Sequence, residues 1–179
     1  YTEVLKKTRQ RFSSIFSYAI SRGLIEENPA YFLKDVFVIT KKSKHHPQLP
    51  LEQLPELLQR LENDKGYPIT KLCTAFALHT FVRSSEFRFA RWSEFDLQKG
   101  LWTIPGEREF IPGQKFSNRG AKMKLNHLIP LSPQVIEILK GIHLYSGMTK
   151  NVFPKNGDPQ GFISESTINK NLRRIGYDT

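Results

Sequence analysis

An arginine and a glutamate stand three residues apart at the end of an apolar stretch. They are Arg83 and Glu86 in the run T-F-V-R-S-S-E at residues 80–86. A guanidinium presents a rigid fork of donors that matches the oxygens of a phosphate. An arginine at the end of a buried helix is also costly to desolvate unless it meets an anion. The pair therefore has two interpretations: a structural ion pair one helical turn apart, or an arginine that binds a phosphate.

The charge of the chain favours a polyanionic partner. Its 179 residues include 27 Lys and Arg against 17 Asp and Glu, which gives a net charge of +10. A basic excess of this size is typical of proteins that bind nucleic acid, although solubility alone is the alternative explanation. The length allows one domain, or one domain and part of another.

Cysteine content and hydropathy indicate the cellular environment of the protein. Cys73 is the one cysteine of the sequence and lies in an apolar helical run, so we expect a buried, unreactive thiol and a reducing environment. No apolar run approaches the length of a membrane span, and the N-terminal residues do not resemble a signal peptide. We therefore expect no association with a membrane.

Helices are predicted where apolar residues recur at three- and four-residue steps. Ser132 followed by Pro133 is a typical helix start. In the last helix we expect Ile168, Leu172 and Ile175 to be buried and the cations to face outward. The predicted helices are residues 3–22, 30–33, 51–63 and 69–80, one that begins at Ser132-Pro133, and a last one that begins at residues 164–167.

From Phe95 onward the apolar period changes to two. The run F-D-L-Q-K-G-L-W-T-I-P reads as a strand, a turn at Lys99-Gly100 and a second strand, and residues 126–131 form a third. Together they predict a small antiparallel sheet beside a helical domain. Between the second and third strands, residues 106–124 are rich in glycine and basic residues, and we expect a mobile loop.

The run F-V-R-S-S-E-F-R-F-A-R-W-S-E-F-D-L-Q-K-G-L-W-T-I-P at residues 81–105 resembles the tyrosine recombinases, in particular the prophage integrases. That family carries a Thr-Gly-x-Arg-x-x-Glu-Leu box, then a tryptophan, an acidic-hydrophobic turn and a Trp-x-Ile-Pro strand. The sequence departs from the pattern at Phe81, where the family usually has glycine, and at Phe87, where it has leucine. With the later segments, the resemblance spans nearly the whole chain.

The resemblance implies a mainly α fold with a small antiparallel β-sheet, of the α+β class. Residues 1–40 would be the C-terminal part of a helical core-binding domain, since R-F-S-S-I-F-S-Y-A-I-S-R-G-L-I-E-E-N-P-A at residues 11–30 resembles its last helices. Residues 41–50 would be a basic interdomain linker. Residues 51–179 would be the N-terminal part of the catalytic domain.

The resemblance also implies a chemistry. These enzymes attack a DNA phosphodiester with a tyrosine hydroxyl and form a phosphotyrosyl bond, without a metal or nucleotide cofactor. Arg83 would hold a non-bridging oxygen of the scissile phosphate, and Glu86 would orient that site. Lys122, eight residues before Pro130 as in the family pattern, would protonate the leaving oxygen, with Lys124 as its rival. The loop at residues 106–124 is several residues longer than the hairpin expected for the family.

Double-stranded DNA, at attachment sites, is the partner that the resemblance implies. Its contacts would come from cations of the linker, the loop and the last helix, although a flexible linker and a solvated basic face are the alternatives. His45 and His46 have no cysteine or carboxylate cluster near them, so we expect no metal site. The expected DNA-binding residues are Lys41, Lys42, Lys44, Arg119, Lys124, Lys170, Arg173 and Arg174.

The family's His-x-x-Arg box, its later His or Trp and its nucleophilic tyrosine have no counterpart here. Tyr177 follows a segment that precedes that box, so we interpret it as a structural aromatic residue. We expect a catalytically incomplete, monomeric fragment of a bacterial or phage-encoded, cytoplasmic recombinase that is a homotetramer on DNA when intact. The alternative is a non-catalytic DNA-binding remnant or regulator. A generic RNA-binding protein is disfavoured, since no RNP strand or Gly-x-x-Gly clamp is present.

Overall fold

The N-terminal helix follows from the predicted apolar spacing. The computed structural model describes residues 2–33, 48–113 and 116–178, and the chain divides into two units, residues 1–45 and 46–179. In the first unit, helix α1 (Thr2–Ser21) is followed by a turn at Gly23, whose φ of 67° is easily adopted by glycine. Asn28 ties the following turn to the helix, because its side-chain amide donates to Ser13 O at 3.0 Å and Ser17 Oγ at 3.1 Å.

The apolar residues of α1 remain largely exposed within the described part of the chain. Val4, Phe12 and Ile15 are all exposed, whereas the periodicity had suggested a core-facing stripe. Of the short helix predicted at residues 30–33, Leu33 is helical and the preceding residues form turns and bends.

The second unit contains five of the described α-helices and all the described strands. Its secondary structure confirms the predicted class, mainly α with a small antiparallel sheet. The helices are α2 (Leu54–Glu62), α3 (Pro68–Thr80), α4 (Ser84–Phe87), α5 (Pro133–Ser146) and α6 (Thr167–Arg174). The strands are β1 (Phe95–Asp96), β2 (Leu101–Ile104), β3 (His127–Pro130), β4 (Pro154–Lys155) and β5 (Asp158–Phe162).

Helix α3 is the centre of this unit. It packs against both α5 and α6, and its residues Ile69, Cys73 and Phe76 are fully buried. The start of α5 is the one predicted, since Ser132 Oγ accepts a hydrogen bond from the amide of Val135 at 3.3 Å. These three buried residues fix α3 in the core. The position of its C-terminal end therefore determines where the following segment, which carries Arg83, begins.

The sheet has the predicted order, with β2 paired antiparallel to both β1 and β3. Trp102 of β2 is fully buried, stacks on Phe95 with ring centroids 5.0 Å apart, and meets Phe76 at 5.5 Å. Trp92 lies half-buried against the core, with its ring centroid 6.2 Å from that of Phe95, and donates its indole N–H to Ser146 O at 3.0 Å.

Two features near the C-terminal end were not predicted. Strands β4 and β5 form a second, two-stranded antiparallel sheet. In α6 the fully buried side chain is Asn171, which donates to Thr74 Oγ1 at 3.0 Å, while Ile168 and Leu172 are half-buried. Ser166, at the N-cap of α6, makes no side-chain capping bond.

Candidate active site

The turn after α3 determines where Arg83 lies. Phe81 adopts a left-handed conformation with φ of 51°, and its amide donates to Ala77 O at 3.0 Å. Arg83 follows in an extended conformation as the N-cap residue of α4. Glycine is the residue best suited to a left-handed helix end. This geometry gives a physical reason for the glycine of the family pattern at the position of Phe81.

Glu86 is the buried member of the Arg83–Glu86 pair. Its side chain is 2% exposed against 60% for Arg83, and Arg83 Nη1 lies 3.4 Å from Glu86 Oε1. The sequence did not indicate which member of the pair would be buried. The backbone amide of Arg83 also donates to Glu86 Oε2 at 3.2 Å. The Glu86 carboxylate therefore fixes the backbone of Arg83, while most of the Arg83 side chain is exposed to solvent.

The same carboxylate reaches the segment that carries Lys122. The amide of Lys122 donates to Glu86 Oε1 at 3.4 Å. This segment packs closely against residues 105 and 106, and glycine is needed at two of the contacts. A Cβ at Gly120 would collide with Pro105 O, and one at Gly106 would collide with Lys124 O. Glu86 thus lies between the two predicted catalytic cations and contacts the backbone of both.

Lys122 and Lys124 lie in a turn, before β3 begins. The amide of Lys124 donates to Ala121 O at 2.9 Å, and Lys124 has a left-handed φ of 55°. Both side chains are exposed. The contact with Glu86 belongs to Lys122, and no hydrogen bond joins Lys124 to Glu86 among the residues that the structure describes.

These residues line one open cleft of about 480 Å³. Four of its lining residues are cationic and one, Glu107, is acidic. A cleft of this composition can hold an anion against several fixed donors. The lining residues are Arg83, Ser85, Gly106, Glu107, Asn118, Arg119, Gly120, Ala121, Lys122 and Lys124.

The long loop between β2 and β3 is anchored by a residue that sequence reasoning missed. The side chain of Arg108 is 1% exposed and pairs with Glu94, Nε to Oε1, at 2.6 Å. The amide of Arg108 also donates to Asn118 O at 2.9 Å. Arg108 therefore connects the start of this loop to the segment at its end and to Glu94, and the mobility of the loop stays a prediction. No sequence signal links Arg108 to Glu94, since the pair depends on how the sheet turns.

The other predicted DNA-binding residues are dispersed. Arg119 lines the cleft and places its guanidinium 4.0 Å from the ring centroid of Phe116. Lys170 and Arg173 are exposed on α6, which does not line the cleft. Arg174 instead pairs with the carboxylate of Asp64, Nη2 to Oδ2, at 2.5 Å. The linker residues Lys41, Lys42 and Lys44 and the pair His45-His46 lie outside the described residues.

Tyr177 lies away from the cleft. Its hydroxyl is buried and has no hydrogen-bond partner in the described structure, and the Arg60 guanidinium lies 5.4 Å from the centroid of its ring. In the described ranges no group of three or more His, Cys, Asp or Glu side chains could hold a metal ion. None of the described helices has both the length and the apolar character that a membrane crossing requires.

A mainly α unit with a small antiparallel sheet is the fold that the resemblance to the tyrosine recombinases predicts. The comparison with known families agrees, since residues 47–179 match the phage integrase family. The chain belongs to this family.

Curated relatives give the same assignment. The chain is 44% identical to the protein IntB of Escherichia coli strain K12 and 42% identical to the integrase of Enterobacteria phage P4, each over 177 residues and 99% of this chain. It spans 44% and 40% of their lengths.

Two solved structures share the fold. A Tn1549 transposon integrase in complex with transposon right end DNA superposes with a TM-score of 0.76 at 16% identity, over 99% of this chain and 60% of that one. Lambda integrase residues 75–356, bound to DNA, gives a TM-score of 0.64 at 17% identity, over 96% and 56%. At this level of identity, the likeness concerns the fold.

Proposed function

We propose that this chain is part of an enzyme that integrates a prophage or mobile element by site-specific recombination of DNA. One observation carries the proposal: Arg83 and Lys122 line one cleft, and the buried carboxylate of Glu86 contacts the backbone of both. The substrate would be a DNA phosphodiester, and the intermediate a phosphotyrosyl bond.

The cleft suits phosphoryl transfer because negative charge grows on the phosphate in the transition state. Arg83, with its exposed guanidinium, would bind a non-bridging oxygen. The tyrosine oxygen would form the new bond to phosphorus as the bond to the 5′-oxygen breaks, and Lys122 would give that oxygen its proton. Glu86 accepts N–H bonds from both segments, so its role would be to orient them and not to transfer protons.

The tyrosine and the His-x-x-Arg box of the family would come from further residues of the same protein. Support for this comes from the relatives, of which this chain spans less than half. The isolated chain would then bind DNA weakly, as a monomer, and would not recombine it. The intact protein would act as a homotetramer on attachment-site DNA in the cytoplasm of a bacterial cell.

DNA binding would use both units. Residues 1–40 would belong to a core-binding domain, residues 41–50 to a basic linker and residues 51–179 to the catalytic domain. The lysines of the linker and the exposed cations Arg119, Lys124, Lys170 and Arg173 would lie along phosphates, which gives affinity without base specificity. Arg174 would contribute less than the sequence suggested, because Asp64 already occupies its guanidinium.

The test uses a hybrid integrase in which this chain replaces the matching 177 residues of the phage P4 protein. Cleavage is measured as covalent protein–DNA adduct in single turnover at saturating DNA. We expect Lys122→Ala to slow cleavage by about 10²–10⁴-fold, the usual loss for a general acid. Lys124→Ala should mainly lower DNA affinity, and reduce its salt slope by about one unit.

A substrate with a 5′-bridging phosphorothiolate separates the two catalytic roles. Its leaving group needs no proton, so it should restore cleavage by Lys122→Ala and not by Arg83→Ala, whose role would be to stabilise charge. If Lys124→Ala shows the large, restored defect, the proton donor is Lys124. A folded hybrid that binds DNA without forming an adduct would favour the alternative, a non-catalytic DNA-binding module derived from a recombinase.

A further inference from the structure

Arg108 connects the two halves of the cleft from beneath. We propose that Arg108 is a positioning residue that holds the Lys122 segment against Glu86, and so sets the distance between Lys122 and Arg83. This inference rests on the proposed function, because it assigns Arg108 a part in forming the phosphate site. Arg108 itself is 4% exposed and does not line the cleft.

The guanidinium of Arg108 donates to both sides of the site. Its Nη2 donates to the backbone carbonyl of Glu86 at 3.1 Å, and its Nη1 donates to the carbonyl of Arg119 at 2.5 Å. Glu86 belongs to the helix that follows Arg83, and Arg119 stands three residues before Lys122. One planar group thus spans the two segments that supply the catalytic cations.

The Nε–Nη2 edge of the guanidinium is hydrogen-bonded to Glu94, which contacts the core. Arg108 Nε donates to Glu94 Oε1 at 2.6 Å and Nη2 to Glu94 Oε2 at 2.8 Å, a bidentate arrangement. The indole N–H of Trp102 donates to the same carboxylate at 3.0 Å. Trp102 is fully buried at the centre of the core. Through Arg108 and Glu94, Glu86 and the Lys122 segment are therefore connected to the buried core.

Lysine could not provide this connection. An ammonium is a point charge on a flexible stem, whereas the guanidinium offers five donors in one plane. Arg108 uses four hydrogen bonds, two to the carboxylate and two to backbone carbonyls. A lysine at this position would keep an ion pair with Glu94 and lose at least one of the two carbonyls.

Arg91 provides a matched control. It is also a buried arginine paired with a glutamate: its Nη1 lies 3.6 Å from Glu109 Oε2, and its Nη2 donates to Glu109 O at 2.5 Å. Within the described residues, Arg91 makes no hydrogen bond to Glu86 or to residues 119–122. Loss of either arginine should destabilise the fold, but loss of Arg108 should also disturb the cleft.

The experiment titrates inorganic phosphate into the 179-residue chain and follows the amide of Lys122 and the Nε–H of Arg83 by NMR. Each variant is studied where near-UV circular dichroism shows that it is fully folded. We expect phosphate to bind the wild-type cleft, and Arg108→Met to weaken it by about fivefold or more, since the two segments must then be ordered on binding. Arg91→Met should bind phosphate as the wild type does.

The milder variant Arg108→Lys keeps the charge and guards against loss of folding. It should shift the Lys122 amide signal before phosphate is added and weaken phosphate binding in the same direction as Arg108→Met. Wild-type affinity in Arg108→Lys, or equal losses in Arg108→Met and Arg91→Met, would overturn the positioning role and leave the phosphate site intact. If the wild type shows no phosphate response at Arg83 and Lys122, the phosphate site itself is refuted, and this inference with it.

Discussion

Replacing Phe81 by glycine is expected to stabilise the catalytic unit, although it removes a large aromatic ring. The left-handed conformation at φ of 51° costs a residue with a Cβ about 1–2 kcal/mol. The ring is 89% exposed, so its loss forfeits about 0.2 kcal/mol of burial. Glycine also costs about 0.5–1 kcal/mol of stability, because it gains more conformational freedom in the unfolded chain. The net gain is about 0.5 kcal/mol.

Urea unfolding followed by circular dichroism measures this gain. With a slope of about 1–3 kcal/mol per molar, typical of small domains, the midpoint should rise by about 0.2–0.5 M at unchanged slope. Phe81→Ala retains the backbone strain and loses the ring, so it should be about 0.7 kcal/mol less stable than Phe81→Gly.

Phe110 supplies the control, because it is exposed but is not among the residues with positive φ. There the order should reverse, with Phe110→Gly less stable than Phe110→Ala by about 0.5–1 kcal/mol. The reasoning is refuted if Phe81→Gly is no more stable than Phe81→Ala, since backbone strain would then not outweigh the entropy of the unfolded chain at this helix end.

Two further predictions concern the chain as a whole. Burial raises the pKa of the Cys73 thiol far above its usual value, so a thiolate-specific reagent should react slowly with the folded chain at about pH 8 and rapidly in urea; fast labelling without denaturant would contradict the buried position. The net charge of +10 predicts that DNA affinity falls by about 0.9 log units per log unit of salt for each phosphate neutralised; fluorescence anisotropy that gives the same Kd at about 50 and about 200 mM salt would refute it.

Local periodicity was sufficient for most of the fold. Helices α2, α3 and α5 and the hairpin of β1 and β2 follow from apolar spacing and from turn residues such as Gly100, which are properties of neighbouring positions. The β4–β5 sheet escaped prediction because its strands are short and contain proline and glycine in place of alternating apolar residues. Burial of Asn171 could not be foreseen, because its partner Thr74 lies 97 positions away.

The candidate site was predicted in its parts but not in its construction. Resemblance singled out Arg83, Glu86 and Lys122. In the structure Arg83 and Lys122 line one cleft, and the buried Glu86 accepts hydrogen bonds from the backbone amides of both. Which member of the ion pair is buried could not be predicted, since the spacing of Arg83 and Glu86 is the same in either case. The contact of Arg108 with Glu94 depends on the turn of the sheet, which periodicity does not encode.

The closure of the long loop at its base has a use in protein engineering. The described residues 109–113 and 116–118 stand between Arg108, whose amide and side chain donate to the carbonyls of Asn118 and Arg119, and those two residues. Phe110, Pro112 and Gly113 in this excursion are exposed. A peptide tag or a small reporter domain inserted after Pro112 would be separated from the cleft by the hydrogen bonds between Arg108 and residues 118 and 119. The chain therefore offers a fusion point a few residues from its cleft that does not require altering the residues lining it.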